Sequence, residues 1–117
     1  MNESELKQRT KIFALRVIKL VGALPKTTVG RAIGSQLVRS GTSVGANYRA
    51  ACRGRSKAEF VSRLGTVEEE ADESAYWMEL VIEGALLKKE QVDPLRREAC
   101  ELTAIMAASR ISAKNRA

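Results

Sequence analysis

The sequence contains no histidine, so it lacks the side chain that most often acts as a general base or metal ligand near neutral pH. Its two cysteines, Cys52 and Cys100, do not form a C-x-x-C pair, which argues against a zinc site. The chain also has no Walker loop, no dinucleotide-binding glycine motif and no Ser-His or Cys-His pair. We therefore predict a protein that is not an enzyme, with no catalytic residue, no cofactor and no metal.

Proline, aromatic residues and long apolar runs are also scarce. The chain has two prolines, and aromatic residues make up 4% of it. Its most apolar segment, residues 12–24, is interrupted by Arg16 and Lys19, so it fits neither a signal peptide nor a membrane span of about 20 residues. We expect a single domain over residues 1–117 that is located in the cytoplasm and does not bind a membrane.

Residues 42–80 carry the clearest helical pattern, in two halves that meet at a short basic turn. Gly54 is typical of the end of a helix, and Ser56 with Glu59 forms the S-x-x-E pattern of a capping box that begins the next one. This pattern predicts a helical hairpin. Apolar or small residues then alternate at spacings of four and three, as on one buried helix face: Phe60, Leu64, Val67, Ala71, Ser74, Met78, Val81 and Ala85.

Similar patterns outside this hairpin predict two further helices, and hence an all-α, antiparallel up-down four-helix bundle. Pro25 follows the first helix, and Asp93-Pro94 is typical of a helix start. The polar, basic residues 111–117 are expected to fray. The predicted helices are, in order, about 4–23, 28–51, 57–88 and 94–109.

Two strips on the predicted second helix consist of small or polar residues. Glycines in a helix cost about 1 kcal/mol each relative to alanine, so a glycine strip predicts close approach of another helix, or else of a ligand. These glycines are Gly30, Gly34, Gly41 and Gly45. A polar strip beside them is expected to be structural and to hydrogen-bond the third helix and its acids: Gln36, Ser40, Ser43 and Asn47.

Charge is distributed unevenly along the chain. Residues 1–57 hold twelve basic and two acidic residues, whereas residues 58–83 hold one basic and eight acidic residues. Such blocks favour either neutralisation within the chain or complementary faces on neighbouring subunits. Four basic residues surround the turn between the second and third helices and could neutralise phosphates of RNA or DNA, or could simply keep the turn soluble: Arg49, Arg53, Arg55 and Lys57.

Residues 43–60, SVGANYRAACRGRSKAEF, and the acidic residues 67–80, VEEEADESAYWMEL, resemble the signature of the bacterial 23S rRNA intervening-sequence proteins. The commoner members carry a Glu-Gly pair after Asn47, where this chain has Arg49, Ala50 and Ala51. The resemblance implies a four-helix bundle that assembles into a ring, similar to the pentameric accessory variability protein of diversity-generating retroelements. It implies no particular biochemical activity. The residues that match are Ser43, Asn47, Arg55, Ser56, Glu59 and Phe60.

An outward series on the predicted third helix mixes apolar and acidic residues and is flanked by Trp77. We interpret it as the interface of a homo-oligomer, for which the resemblance favours a pentamer. Two functions remain open, namely an oligomeric protein that binds nucleic acid through its basic turns, and a structural scaffold that binds another protein. The series consists of Glu69, Glu73, Tyr76, Leu80, Glu83 and Leu87.

Overall fold

The computed structural model describes residues 1–116 and contains four α-helices. Each helix packs along the next one in the chain, while the first packs more sparingly on the fourth, in a body of 50 × 20 × 19 Å. No strand occurs among these residues. The predicted all-α, up-down four-helix bundle is confirmed. Its helices are α1 (Glu3–Gly22), α2 (Thr28–Cys52), α3 (Lys57–Glu83) and α4 (Lys89–Lys114).

The turn between α2 and α3 lies where the sequence places it. Ser56 is the N-cap of α3, and its hydroxyl accepts a hydrogen bond from the backbone N–H of Glu59 at 3.1 Å. The carboxylate of Glu59 accepts from the N–H of Arg55 at 3.2 Å, one residue before the position that a capping box requires. Half of the predicted capping box is therefore present, and the other half supports the turn itself.

The predicted boundary between the third and fourth helices is wrong. α3 ends at Glu83, and Ala85 follows with a φ of 56°, a left-handed conformation that breaks the helix. α4 begins at Lys89, where the side chain of Gln91 accepts from the N–H of Lys88 at 3.1 Å. The turn thus lies before residue 89 and not at 89–93.

Asp93 and Pro94 lie inside α4 and do not begin it. The helix loses only the one hydrogen bond that the missing N–H of Pro94 would donate. The carboxylate of Asp93 binds Arg96 at 2.7 Å and Arg97 at 3.1 Å, and does not cap a helix. At its other end α4 continues to Lys114, beyond the predicted end at residue 109.

The core is formed by the predicted apolar faces of all four helices. The largest fully buried side chains include Phe13, Leu37, Leu64, Met78 and Leu102. In the predicted series on α3 the inner members are buried, whereas Phe60 is half-buried and Ala85 is exposed beyond the helix end. Val29, in the first turn of α2, is also exposed.

The glycine strip of α2 faces α1. A Cβ atom built at Gly41 would lie 2.7 Å from a methyl carbon of Val17, and one at Gly34 would lie 3.1 Å from a methyl carbon of Val21. At Gly30 an added Cβ would overlap the carbonyl oxygen of Pro25. Close packing of the two helices therefore depends on the absence of side chains along this strip.

Candidate nucleic-acid interface

Four exposed basic residues lie at one end of the bundle. Because the helices alternate in direction, the α2–α3 turn lies at the same end as the start of α1 and the finish of α4. Arg49 lies in the last turn of α2, and Arg53, Arg55 and Lys57 surround the turn. None of these four side chains takes part in a salt bridge among residues 1–116. Their charge is therefore available to a partner.

The C-terminal end of α4 adds further basic residues to this cluster. The ammonium group of Lys57 donates a hydrogen bond to the backbone carbonyl of Arg116, which joins the start of α3 to the end of α4. Lys114 and Arg116 are both exposed there. We call this cluster the basic end: Arg49, Arg53, Arg55, Lys57, Lys114 and Arg116.

Sequence reasoning missed Lys114 and Arg116 because it ended the fourth helix at residue 109. A signal was present, since small or apolar residues continue at helical spacing from Leu102 and Met106 to Ala113, which is buried. Extending that pattern by one turn would have brought the two basic residues to the same end as the α2–α3 turn.

The acids near the basic end are already engaged within the chain. Glu3 pairs with Lys7 at 3.2 Å, and Glu59 pairs with Arg63 at 3.3 Å. Glu5 accepts from the N–H of Asn2 in the capping box of α1. Cations in the last turns of α2 and α4 also interact favourably with the helix dipoles. The positive charge thus has a structural role in addition to any role in binding.

Beside the basic end, a shallow groove between α1 and α2 extends the positive surface. It has a volume of about 320 Å³ and is lined by Ser4, Lys7, Gln8, Lys11 and Arg49. Its polar and basic lining suits an extended anion such as a phosphate backbone better than an apolar ligand.

Cys52 lies next to this end, at the last position of α2, but has no character of a nucleophile. Burial raises the pKa of its thiol. Burial also raises the pKa of the neighbouring Tyr48 hydroxyl. Both groups stay protonated at neutral pH, so neither supplies the reactive anion that covalent catalysis needs.

The predicted interface stripe on α3 is only partly free. Tyr76 is 53% exposed and contacts the ring of Trp77 edge to face, with ring centroids 5.3 Å apart. The indole N–H of Trp77 donates to the carboxylate of Glu73 at 3.0 Å, and the guanidinium of Arg39 binds the same carboxylate. The Trp77 hydrogen bond, with a further contribution from Arg39, lowers the pKa of Glu73.

The remaining members of the stripe are also exposed in part and buried in part. Glu69 and Glu83 are exposed and Leu80 is half-buried. Leu87 does not belong to the stripe, because α3 ends at Glu83 and Leu87 packs partly buried against the core from the following turn. The outward surface that α3 presents is therefore shorter than the sequence predicts.

The predicted polar strip on α2 reaches α3 at one point. Ser40 is buried, and its hydroxyl lies 2.9 Å from the hydroxyl of Ser74. The side chains of Ser43 and Asn47 instead donate to backbone carbonyls within α2, at 2.7 and 2.9 Å. Gln36 is exposed and accepts from Arg39 at 3.4 Å.

The bonds from α2 to the acids of α3 come from Arg39, which sequence reasoning did not single out. Its guanidinium binds the carboxylate of Glu70 at 2.9 Å as well as that of Glu73. Its position directly before buried Ser40 could have indicated this role, because that position lies at the edge of the buried face.

The chain is similar to known proteins in both sequence and fold. The model of the family described as 23S rRNA-intervening sequence protein matches residues 2–108. The chain belongs to this family. A crystal structure at 1.70 Å of a protein with unknown function from the S23 ribosomal protein family, from Bacteroides thetaiotaomicron, has a TM-score of 0.86 and 30% identity, covering 94% of this chain and 98% of that one. No curated protein matches the sequence.

The predicted resemblance to the 23S rRNA intervening-sequence proteins is confirmed, and its residues have structural roles here. Ser56 caps α3, Glu59 supports the turn, and Phe60 packs against the core. Neither the family nor the related structure indicates an enzyme. Among residues 1–116, no three histidine, cysteine or acidic residues form a group that could hold a metal ion, and no helix is long and apolar enough to span a membrane.

Proposed function

We propose that this protein is a non-enzymatic homo-oligomer that binds nucleic acid through its basic end. The observation that supports binding is the convergence of six exposed basic residues from the ends of α2 and α4 and the start of α3, with no acidic partner among the described residues for the four around the turn. Each cation that contacts a phosphate releases counterions, which provides affinity without base recognition.

Binding of this kind is weakly sequence-selective and depends strongly on salt. Within residues 1–116 the basic end offers charge but no exposed aromatic ring on which a base could stack, since the exposed Tyr76 lies far along α3. A ring of subunits, for which the family resemblance favours a pentamer, repeats the basic end around one rim. Several weak sites held together then act by avidity.

The test is the triple variant Arg53→Gln, Arg55→Gln and Lys57→Gln. Its matched control removes three exposed basic residues at the opposite end of the bundle that form no salt bridge among residues 1–116: Lys26→Gln, Arg31→Gln and Lys89→Gln. Both variants lose the same net charge, so a difference between them reports position and not total charge. Circular dichroism and solution mass establish that each remains folded and assembled.

Fluorescence anisotropy with an RNA hairpin and with duplex DNA, each titrated at several salt concentrations, then gives affinity and its salt dependence. For duplex DNA each phosphate contact contributes a slope of about −0.9 in log affinity against log salt. The triple variant is expected to lower the magnitude of that slope by about 2 to 3 per bound subunit, whereas the control leaves it nearly unchanged. Equal affinities and slopes for all three proteins would refute the proposal and favour the scaffold that binds another protein.

The oligomer is tested independently through α3. Changing Tyr76 and Leu80 to Lys places two charges on the outward stripe and is expected to lower the solution mass while helicity is retained. The control changes Val29 and Ile111, exposed apolar residues elsewhere on the bundle, to Lys. A wild-type protein that sediments as a 12.8-kDa monomer would exclude this interface.

A further inference from the structure

The acids of α3 fall into two groups. Glu68 binds Arg110 at 2.9 Å, while Glu70 and Glu73 bind Arg39. The other acids that follow residue 67 on α3 are exposed and have no salt-bridge partner among residues 1–116. At 100° per residue they surround Tyr76 on the side away from the core. We call this surface the α3 outer face: Glu69, Asp72, Tyr76, Glu79, Leu80 and Glu83.

A surface of opposite charge lies on the outside of α1. Ile12, Leu15 and Ile18 are 46%, 59% and 50% exposed, which is unusual for three large apolar side chains on one helix of a small bundle. Lys11 and Lys19 are exposed one turn before and one turn after Leu15 and have no salt-bridge partner within residues 1–116. We call this surface the α1 outer face: Lys11, Ile12, Leu15, Ile18 and Lys19.

The two faces match in charge and in spacing. Lys11 and Lys19 are eight residues apart, or about 12 Å along the helix, and Asp72 and Glu79 are seven residues apart, or about 11 Å. Each pair of charges flanks a large exposed apolar residue, Leu15 on α1 and Tyr76 on α3. Apolar groups at the centre and charges at the rim are the usual arrangement of a protein interface.

The two faces of one chain cannot meet. α1 packs along α2 and α4, whereas α3 lies diagonally across the bundle from it, and both outer faces point away from the core. Pairing α3 with a second α3 would bring acid against acid, which is unfavourable. The complement that the chain itself offers is therefore the α1 outer face of another copy.

We propose that the α1 outer face of one subunit docks on the α3 outer face of the next. The proposal rests on the homo-oligomer proposed above and names the second half of its interface. Because the two faces differ, the contact is head-to-tail, and such contacts close into a ring when the rotation between subunits permits. Leu15 and Tyr76 form the apolar centre, and the lysine and acid pairs determine which faces meet.

Charge reversal tests the pairing. One variant carries Lys11→Glu and Lys19→Glu, a second carries Asp72→Lys and Glu79→Lys, and a third carries all four changes. Each of the first two places like charges across the contact and is expected to weaken association on the order of a hundredfold, so that the solution mass falls toward 12.8 kDa. The third restores opposite charges in the reverse sense and is expected to regain the wild-type mass.

Mixing the two double variants provides a second readout, because the unchanged α3 outer face of the first fits the unchanged α1 outer face of the second. The mixture is expected to associate at concentrations where each variant alone does not. The control, Lys26→Glu with Lys89→Glu, changes the net charge by the same amount as the first variant, but at the end of the bundle opposite the basic end. It is expected to keep the wild-type mass. Sedimentation at low salt measures mass, and circular dichroism verifies folding.

The outcomes separate this proposal from the oligomer itself. If the variant with Asp72→Lys and Glu79→Lys has a lower solution mass but the variant with Lys11→Glu and Lys19→Glu does not, the protein is an oligomer through α3 and the pairing with α1 is refuted. The same conclusion follows if the fourfold variant stays dissociated while folded. A wild-type monomer at all accessible concentrations would overturn both the oligomer and the pairing.

Discussion

The close contact between α1 and α2 reverses the usual effect of one glycine-to-alanine substitution on protein stability. Replacing a glycine in the middle of a helix by alanine normally stabilises it by about 1 kcal/mol. At Gly41, however, the new Cβ would lie 2.7 and 2.8 Å from the two methyl carbons of Val17 and 3.0 Å from its Cβ. Carbon atoms in favourable contact are about 3.5–4.0 Å apart, so α1 must shift.

The shift is costly because Val17 is fully buried and its branched side chain has one strongly preferred rotamer in a helix. Overpacking of this kind costs about 1–3 kcal/mol. After the gain in helix propensity, Gly41→Ala is expected to destabilise the protein by about 1 kcal/mol. Gly65 is the matched control, because the atom of another helix that an added Cβ meets within 4 Å, among residues 1–116, is the Cδ of Arg110 at 3.7 Å.

Gly65→Ala is therefore expected to stabilise the protein by about 1 kcal/mol, so the two variants differ by about 2 kcal/mol, or about 8 °C in Tm. Thermal and urea denaturation are compared at one protein concentration, because association contributes to apparent stability. In a Val17→Ala background, which removes both methyl groups but keeps the Cβ at 3.0 Å, Gly41→Ala is expected to be less destabilising than in the wild-type protein. If Gly41→Ala stabilises the wild-type protein as much as Gly65→Ala does, the close α1–α2 packing described above is incorrect.

Two further predictions concern the core and the contact between α1 and α4. Val67→Asp buries a charge at a fully buried position and is expected to abolish the cooperative helical signal in circular dichroism, whereas a folded variant would refute the register of α3. Arg9 binds Glu98 through two hydrogen bonds of 2.7 Å, which are the main cause of the lowered pKa of the Glu98 carboxyl. This pair therefore stabilises the folded state above pH 4.5, the ordinary pKa of the carboxyl, and the stabilisation is lost as the pH falls through the lower pKa of the folded state. Glu98→Gln is expected to cost about 1–2 kcal/mol at pH 7 and to reduce the loss of stability below pH 4.5; an unchanged acid profile in urea titrations would contradict this assignment.

Local patterns in the sequence were sufficient to predict the hairpin of α2 and α3. The apolar series and the Gly54–Ser56 turn predict the start of α3 at residue 57, as observed, and the end of α2 within one residue. The α3–α4 connection was harder, because Asp93-Pro94 has the composition of a helix start while the helix actually begins at Lys89. A proline near the beginning of a helix costs one hydrogen bond, which packing of the remaining turns can offset.

The candidate sites were less predictable, because they depend on which helix ends meet and how each helix is rotated. The basic end takes Lys114 and Arg116 from a segment far from the α2–α3 turn in the sequence, and only the full length of α4 brings them together. Likewise the sequence shows eight acids in residues 58–83 but not which of them Arg39 and Arg110 can reach.

The rotation of α3 divides its acids into those that the chain neutralises and those that face outward. Successive positions on a helix differ by 100°, so Glu68 faces Arg110 on α4 and Glu70 faces Arg39 on α2, while Glu69 between them faces outward. Neutralisation within the chain therefore accounts for the acids at the two edges of α3. The outward acids form no salt bridge among residues 1–116, and in the head-to-tail contact that we propose the exposed lysines of α1 on a second subunit provide the complementary charge.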